Sequence, residues 1–397
     1  MAVSSRVAAA VLACAVALAA AWALAATRSA RAQEALTVSS ALPPWSAPGT
    51  ILRVRGKTAP KTVVELWIGS RRRATGRSGA RGGFVLRARV PWARGRHRIA
   101  VVADDARVEA GVLRVRPLTL AAVGDVTFGD GVATAIARRG PRWPWLSVAP
   151  VLRSADLAIA NLEGAVSTRG APWPGKLYTF RGPPRALRAA ASYAGIDVVS
   201  LANNHSLDYG RTAFLDTIGH ARRFGVRTVG GGSGLDAARR PRIVTRGGLR
   251  VAFLGFSDVR PLGFDAGPGR PGTVPAFPEI VRADVRAARR RADVVVAYFH
   301  WGVERATVPT WRQRDLAQTA LDSGATVVLG AHPHVLQPVE RRGRRVVAWS
   351  LGNFVFAAHS PPTARTGILR IRLGAGGVVG TSFRPARIDG VQPRLIP

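Results

Sequence analysis

The chain has 397 residues, 47% of them hydrophobic, and carries a formal net charge of +35. This length and apolar content allow a large buried core in two or three domains and exclude an intrinsically disordered chain. Only three lysines occur, so nearly all the positive charge is arginine, scattered without the aromatic-interleaved basic motifs of nucleic-acid-binding modules. We therefore expect no nucleic acid partner, and either a solvated basic surface or attraction to a polyanion such as an acidic polymer or anionic lipid.

The N-terminus has the pattern of an export signal. Residues 7–26 are apolar without interruption, Arg6 precedes them, and Ala30-Arg31-Ala32 matches a small-x-small cleavage site. The apolar run is also long enough to span a bilayer. We expect residues 1–32 to be a cleaved signal peptide or a retained membrane anchor, and the rest of the chain to work outside the cytoplasm, secreted or membrane-anchored. The single cysteine, Cys14, lies in this run, so the remaining chain offers no disulfide and no thiolate ligand.

The remaining sequence divides by its hydrophobic pattern. Residues 33–49 are predicted to be a linker. Residues 50–117 contain short alternating runs separated by Gly, Ser, Pro and Arg clusters, which predict a small all-β, Ig-like sandwich serving as a spacer or adhesion module. From residue 118 to 397, continuous apolar strands alternate with helices, which predicts an α/β domain with buried strands.

Within the α/β part the elements follow in a regular rhythm. Strands are predicted over 118–123, 157–160, 197–201, 226–229, 253–256, 294–299, 326–329 and 346–349, and helices over 132–139, 146–154, 184–193, 212–224, 278–291 and 312–323. A hairpin is predicted at Gly247-Gly248, and two more strands, 367–373 and 378–383, follow at the C-terminal end.

Polar side chains follow five of these apolar strands. They are Asp125; Asn161 and Glu163; Asn203, Asn204, His205 and Asp208; His300 and Glu304; and His332 and His334. The carboxyl ends of strands in open α/β sheets are where sites form. Without cysteine, imidazoles and carboxylates favour Mn, Fe, Zn or Mg. One histidine alone is more typical of a loop or core residue, but four at the ends of three strands predict a site for one or two divalent ions.

The residue types suggest roles within such a site. Glu163 can bridge two ions, Asn204 can add an amide oxygen, and Asp208 can orient His205. Competing interpretations remain, since Asp125 also suits a helix N-cap and Glu304 a solvated helix start. His97, His220 and His359 have no supporting motif and are expected on the surface or in loops.

The order of these motifs resembles the CapA family of poly-γ-glutamate capsule biosynthesis proteins. The resemblance covers residues 118–358 and rests on Gly124-Asp125, Asn161-Leu162-Glu163, Ala202-Asn203-Asn204-His205 with Asp208-Tyr209-Gly210, His300-Trp301-Gly302 with Glu304, Gly330-Ala331-His332-Pro333-His334, and Ser350-Leu351-Gly352-Asn353-Phe354. It implies a branch of the calcineurin-like metallophosphatases, with a two-sheet sandwich flanked by helices. It also implies metal ligands at Asp125, Glu163, Asn204, His205, His300, His332 and His334.

The sequence departs from the wider metallophosphatase pattern at two positions. That pattern begins Asp-x-His, whereas Val126-Thr127 follows Asp125 here. Its second motif supplies an aspartate, where this chain has Glu163. The resemblance therefore implies one or two ions of unknown identity.

Two functions are compatible with these observations. The first is an extracytoplasmic metal-dependent hydrolase or transferase acting on poly-γ-glutamate or another acidic envelope polymer, with His205, Asp208, Glu304 and His334 as catalytic residues. The alternative is a non-catalytic, membrane-tethered component that binds a polyanion within a capsule polymer synthesis or export complex. The expected partners are the acidic polymer, a membrane synthase complex, and the membrane itself if the N-terminal span is uncleaved.

Overall fold

The computed structural model describes residues 35–397, so the predicted export signal at 1–32 lies outside the described part of the chain. Two compact units are present, one comprising residues 35–43, Ile51–Arg89 and Arg96–Leu113, and the other Pro44–Thr50, Val90–Gly95 and Arg114–Pro397. Among the described residues, no helix is both long and apolar enough to cross a membrane.

The N-terminal part of the described chain is built from strands. They are β1 (Thr37–Val38), β2 (Trp45–Ser46), β3 (Ile51–Lys57), β4 (Val63–Ile68), β5 (Arg71–Arg77), β6 (Gly83–Arg89), β7 (Gly95–Ala103) and β8 (Ala106–Val115). β1, β3 and β6 form one antiparallel sheet, and β2, β8, β7, β4 and β5 form a second in that order. In β3 and β6 buried and exposed residues alternate strictly, as expected for strands with one face on a core.

Three of these strands differ from the sequence-based expectation. β1 and β2 lie within the segment 33–49 that was expected to be a linker, because two-residue strands are too short to show a period-2 pattern. β5 was not predicted, because four of its seven residues are arginines and it has no buried position. It forms by pairing with β4.

The second unit is α/β. Its strands are β9 (Leu118–Val126), β10 (Leu157–Leu162), β11 (Ala165–Val166), β12 (Arg181–Gly182), β13 (Val198–Ser200), β14 (Arg227–Val229), β15 (Gly231–Gly232), β16 (Arg242–Arg246), β17 (Leu249–Ser257), β18 (Gly272–Thr273), β19 (Val294–His300), β20 (Val327–Ala331), β21 (Val339–Arg342), β22 (Arg345–Ala348), β23 (Asn353–Val355), β24 (Arg365–Gly374), β25 (Gly377–Asp389) and β26 (Gln392–Leu395). Its α-helices are α1 (Asp130–Arg139), α2 (Ala149–Arg153), α3 (Pro184–Ala189), α4 (Gly210–Arg223), α5 (Leu235–Arg239), α6 (Pro278–Arg289), α7 (Trp311–Asp322) and α8 (Pro361–Ala364).

Two large sheets organise this unit. An eight-stranded sheet runs β14-β13-β10-β9-β24-β25-β26, with β23 also paired to β9, and a six-stranded sheet runs β16-β17-β19-β20-β22-β21. The central strands of both sheets, β9-β10-β13-β14 and β17-β19-β20-β22, are parallel. Parallel pairing places the carboxyl ends of these strands at a common edge.

Three apolar clusters define the layers. The cluster between the two sheets joins residues of β9 and β10, such as Leu120 and Ile159, to residues of β17 and β19, such as Phe253 and Val296. The other clusters pack α1 to α4 on the outer face of the first sheet and α6 and α7 on the outer face of the second. The predicted fold class, a two-sheet α/β sandwich flanked by helices, is thereby confirmed.

Most predicted helices and strands of this unit are present with shifted ends. The predicted helix 146–154 is instead a 3₁₀ turn (Trp143–Trp145) followed by the short α2, and the predicted helix 184–193 ends as a π-helical turn (Ala190–Ala194) after α3. Both regions contain prolines within the first turn, where the missing N–H is tolerated, so the start of each helix is set by proline.

Candidate metal centre

The polar residues that follow the parallel strands meet at the shared edge of the two sheets. Asp125 ends β9 beside Asn161 of β10 and Asn353 of β23, which are its paired neighbours in the sheet. His300 ends β19 in the other sheet. Glycines permit the close approach, since a Cβ on Gly124 would lie 1.8 Å from the Gly352 carbonyl oxygen, and one on Gly330 2.0 Å from that of Trp349.

Asn161 connects the two sheets at the centre of this edge. Its amide nitrogen donates to Asp125 Oδ1 at 2.8 Å and lies 3.2 Å from His300 Nδ1. Its oxygen accepts a hydrogen bond from Asn203 Nδ2 at 3.0 Å. Asn161 is fully buried, and the sequence marked it only as a polar strand end, because its three partners come from distant parts of the chain.

Glu163 lies at the middle of the cluster. Its Oε1 is buried and has no hydrogen-bond partner among the described residues. Three imidazole Nε2 atoms surround this oxygen, those of His205 at 3.8 Å, His300 at 3.9 Å and His334 at 3.9 Å. A buried carboxylate oxygen without a donor is costly in a folded protein unless a cation or water satisfies it.

His205 is held by groups on its far side. Its Nδ1 lies 2.7 Å from Asp208 Oδ2, and its ring lies against Phe180 at 4.4 Å between centroids. Asp208 is fully buried and also accepts from the Phe180 N–H at 2.7 Å and from Lys176 Nζ. This arrangement fixes the ring and leaves Nε2 facing Glu163, as in carboxylate–histidine pairs behind metal ligands.

Lys176 was not identified from the sequence. Its ammonium group contacts the Asn204 backbone oxygen, Asp208 Oδ1 and, at 3.1 Å, His205 Nδ1. Burial lowers the pKa of Lys176, although Asp208 opposes this shift. The rarity of lysine is the one sequence feature that could have identified it, because the chain has only three lysines and otherwise uses arginine.

Asn204 completes this side of the cluster. Its Oδ1 lies 2.8 Å from His300 Nε2. The turn that carries it is fixed by Asn203, whose Oδ1 accepts from the His205 N–H at 3.0 Å and whose Nδ2 donates to the Leu162 carbonyl at 2.8 Å. Asn203 therefore stabilises the turn that presents Asn204 and His205.

His332 and His334 enter the cluster on a strained backbone. Both are non-glycine residues in the left-handed region, with φ of 95° and 57°, and such positions cost about 1–3 kcal/mol each. The His332 N–H donates to Asp125 Oδ2 at 3.2 Å, and His334 Nδ1 lies 3.4 Å from the same oxygen and 2.8 Å from Asn353 Oδ1. The His332 ring lies 4.8 Å from that of His300, and its buried Nδ1 has no partner among the described residues.

Five of the side chains form two groups of candidate ligands, and the predicted ligands His205 and His300 belong to neither group. Asp125, Glu163 and His334 form one group, and Glu304, His332 and His334 form the other, with all ligand atoms of a group within 4.8 Å of each other. His334 belongs to both groups and links them, while the bridging role expected for Glu163 stays a prediction. The two orphaned buried atoms, Glu163 Oε1 and His332 Nδ1, and the oxygen and imidazole donor set fit one or two divalent cations.

The two buried carboxylates of the cluster and His334 shift one another's pKa values. Burial, reinforced by the nearby Asp125, raises the pKa of Glu163 well above its usual value. Burial alone would raise the pKa of Asp125 too, but contacts with His334 lower it. The pKa of His334 is raised to about 10, because Glu163 and Asp125 outweigh the opposing effect of burial.

The other imidazoles are held neutral. Burial lowers the pKa of His300 well below its ordinary value, and burial with the neighbouring His334 lowers that of His332 to about 4. Burial also lowers the pKa of His205, against the opposing effect of Asp208. Neutral imidazole is the form that binds metals.

A cavity of about 350 Å³ opens onto the cluster. Its lining comprises Tyr178, Phe180, His205, Glu304, Arg305, His334, Asn353, Phe356, Ala357, His359, Ser360 and Thr363. His359 is exposed and lies in a loop, as expected, and it also lines this cavity. Its loop is distant in sequence from the other histidine motifs, so no local pattern identified it. Trp301 is absent from this lining; it is fully buried and stacked on Phe299.

Comparison with known proteins identifies the family. The family model described as "Bacterial capsule synthesis protein PGA_cap" matches residues 119–358, which include every residue of the cluster. The chain belongs to this family. The CapA resemblance inferred from the motifs is therefore confirmed, and the first unit lies outside the matched region.

Two curated relatives carry names that agree with this family. The "PGA biosynthesis protein CapA" of Bacillus subtilis (strain 168) is 33% identical over 281 residues, covering 70% of this chain and 73% of that protein. The "Capsule biosynthesis protein CapA" of Bacillus anthracis is 30% identical over 286 residues, covering 70% and 69%. Among solved structures, a 5'-nucleotidase precursor from Thermus thermophilus is 14% identical with a TM-score of 0.40; the match covers 70% of this chain and 54% of that chain, about half its length.

Proposed function

We propose that this member of the PGA_cap family is an extracytoplasmic, metal-dependent hydrolase or transferase acting on poly-γ-glutamate or another acidic polymer of the cell envelope. The observation that carries the proposal is the buried, unpartnered Glu163 Oε1 with three imidazole nitrogens at 3.8–3.9 Å. The capsule context is supported by family membership and by the names of the Bacillus relatives. The location rests on the export-signal pattern of residues 1–32.

In this proposal the ligands are Asp125, Glu163, Asn204, His205, His300, His332 and His334. A divalent ion held by such ligands supplies Lewis-acid polarisation of a phosphoryl or acyl oxygen and activates water as a nucleophile. Asp208 acts through His205, because it is buried and is absent from the cavity lining. Glu304 is exposed in that lining and is therefore the carboxylate able to exchange a proton with solvent.

Arg305 supplies the contact that favours an acidic substrate. It lines the cavity next to Glu304, and its guanidinium has no hydrogen bond or ion pair to another described residue. Its backbone is fixed in the left-handed region (φ 62°), and its N–H donates to the Pro333 carbonyl at 2.7 Å, between His332 and His334. An unpaired guanidinium suits a substrate carboxylate, which it can bind with two parallel hydrogen bonds.

The proposal is tested by metal content and turnover of the purified full chain. Wild type is compared with Glu163→Gln, which keeps the side-chain size and removes the charge, and with Glu109→Gln, which removes an exposed carboxylate from the first unit. We expect about one to two equivalents of Mn, Fe, Zn or Mg in wild type and in the control, and a loss of most of this metal in Glu163→Gln. Wild type should also shorten poly-γ-glutamate or hydrolyse model phosphoesters, and Glu163→Gln should not.

A protein that holds no metal after incubation with Mn or Zn would contradict the proposal. That result would favour the alternative, a non-catalytic, membrane-tethered polyanion-binding component of a synthesis or export complex. If the protein binds metal but turns over neither class of substrate, the metal has a structural role. That result would contradict the proposed catalysis but not the proposed metal site.

A further inference from the structure

The exposed face of the β1-β3-β6 sheet carries a concentrated group of cations. Arg53, Arg55 and Lys57 occupy alternate positions of β3, and Arg87 and Arg89 occupy alternate positions of β6. All five are exposed, while the residues between them are buried. We call these five residues the cationic face.

The register of the strands sets the two rows side by side. Arg53 pairs directly with Arg87, and Arg89 pairs with Ile51. Alternate residues of a strand are about 6.7 Å apart, and neighbouring strands are about 4.8 Å apart. The cations therefore form two adjacent rows. Along each row the charges repeat at a spacing that an extended polymer with an acidic group in each repeat can match.

No acidic side chain compensates these charges among the described residues. The stretch Ile51–Arg89 contains eleven lysines and arginines and one carboxylate, Glu65, which is already paired with Arg72 on another strand. Like charges directly opposite each other across a strand pair are destabilising. The array therefore does not serve the stability of the sheet.

Several arginines of the second unit pair with aspartates, as in Arg116–Asp156, Arg239–Asp284 and Arg250–Asp293, with N–O distances of 2.7–2.9 Å. The five residues of the cationic face form no such ion pair within the described part of the chain, and the remaining exposed residues of β3 and β6 are apolar or glycine. These cations are therefore free to contact an acidic ligand.

We infer that the cationic face binds a linear polycarboxylate, giving the first unit a polymer-holding role separate from the metal cluster. Guanidinium groups match carboxylates through paired hydrogen bonds, and a row of them binds a repeating acidic chain with an affinity that falls as salt rises. The choice of a polycarboxylate as the ligand rests on the proposed function, because the same class of polymer is the substrate proposed there. The surface itself lies outside the family match at 119–358 and is argued from charge and register alone.

The test measures binding of poly-γ-glutamate to the full chain at two salt concentrations. A quadruple variant, Arg53→Gln, Arg55→Gln, Arg87→Gln and Arg89→Gln, is compared with a matched one, Arg282→Gln, Arg286→Gln, Arg290→Gln and Arg291→Gln. The second set removes the same charge from arginines on and just after α6. We expect the first set to weaken binding at least about tenfold at low salt and the second to change it less than about twofold.

Equal losses in the two quadruple variants would overturn the inference, because binding would then follow net charge and not the cationic face. Tighter binding of duplex DNA or of anionic phospholipid vesicles than of poly-γ-glutamate would overturn the choice of ligand. A version with lysine at the four arginine positions keeps the charge and guards against misfolding. It should retain more binding than the glutamine version.

The two proposals fail in different ways. Glu163→Gln should keep wild-type polymer binding on the cationic face even though its metal is lost. If Glu163→Gln loses polymer binding while the quadruple variant of β3 and β6 keeps it, the metal cluster is the binding site and the inference is wrong.

Discussion

The Tyr298 hydroxyl donates a 2.7 Å hydrogen bond to the Val123 carbonyl oxygen and so joins the two large sheets through a buried side chain. Tyr298 lies two residues before His300, and Val123 lies two residues before Asp125. Burial and the nearby carboxylates raise the pKa of Tyr298 well above its usual value, so the hydroxyl remains a donor. The bond therefore fixes the spacing of the strands immediately before their ends enter the metal cluster.

Replacing this tyrosine tests its contribution to stability. Tyr298→Phe removes the donor and leaves the buried Val123 carbonyl unsatisfied, so we expect the free energy of unfolding to fall by about 1–2 kcal/mol. Urea denaturation followed by fluorescence gives this value. Tyr178→Phe, at an exposed tyrosine, is the control and should change nothing. An unchanged unfolding free energy in Tyr298→Phe would show that the carbonyl finds another donor.

Asp208→Asn tests the support of His205. The amide cannot hold the imidazole and Lys176 as the carboxylate does, so we expect metal affinity to fall about 10- to 100-fold. Titration calorimetry with Mn or Zn measures this, with Asp236→Asn as the control outside the cluster. Thermal unfolding without metal separates a local effect from misfolding. If folded Asp208→Asn protein binds metal with wild-type affinity, Asp208 does not support the metal site.

Arg305→Gln tests the recognition of acidic groups at the cavity. We expect weaker binding or a higher KM for a short γ-glutamyl oligomer, by about tenfold, with unchanged metal content, because Arg305 belongs to neither ligand group. The exposed Arg222→Gln serves as the charge-matched control, and Arg305→Lys should restore part of the affinity. Equal affinities in Arg305→Gln and Arg222→Gln would show that the cavity does not use this guanidinium.

The Arg169–Asp216 pair gives a pH-dependent prediction. Hydrogen bonds from Arg169, against a smaller opposing effect of burial and with help from Ser167, lower the pKa of Asp216 to about 2. Because the pKa is lower in the folded state than the usual value of about 3.9, the pair stabilises the fold above about pH 4, and this contribution is lost as the pH falls towards 2.

The measurement compares urea midpoints of wild type and Asp216→Asn across that pH range. Asp216→Asn should be less stable at pH 7, and the difference should shrink as the pH approaches 2. Asp389→Asn, which breaks an ion pair between two exposed side chains, should have little effect at either pH. A difference for Asp216→Asn that does not change with pH would mean that the charge of Asp216 is not what stabilises the fold.

The sequence determined the fold class and most of the candidate ligands, for a local reason. A buried parallel strand is an apolar run, and a polar residue at its carboxyl end has no packing role. Asp125, Glu163 and His300 can therefore be identified from the sequence of each strand alone. The helices and the Gly247-Gly248 hairpin are visible for the same reason, because their patterns repeat within a few residues.

Only the tertiary structure decided how those strand ends combine. Asn161 acquires its role by contacting Asp125 and His300 on other strands and Asn203 in the turn after β13. Lys176 and His359 reach the site from loops with no periodic pattern. The order of the strands in the two sheets depends on contacts between residues far apart in the sequence. Local periodicity does not predict these contacts. The sequence therefore specified which groups end the strands, and the packing of the two sheets determined which of these groups meet.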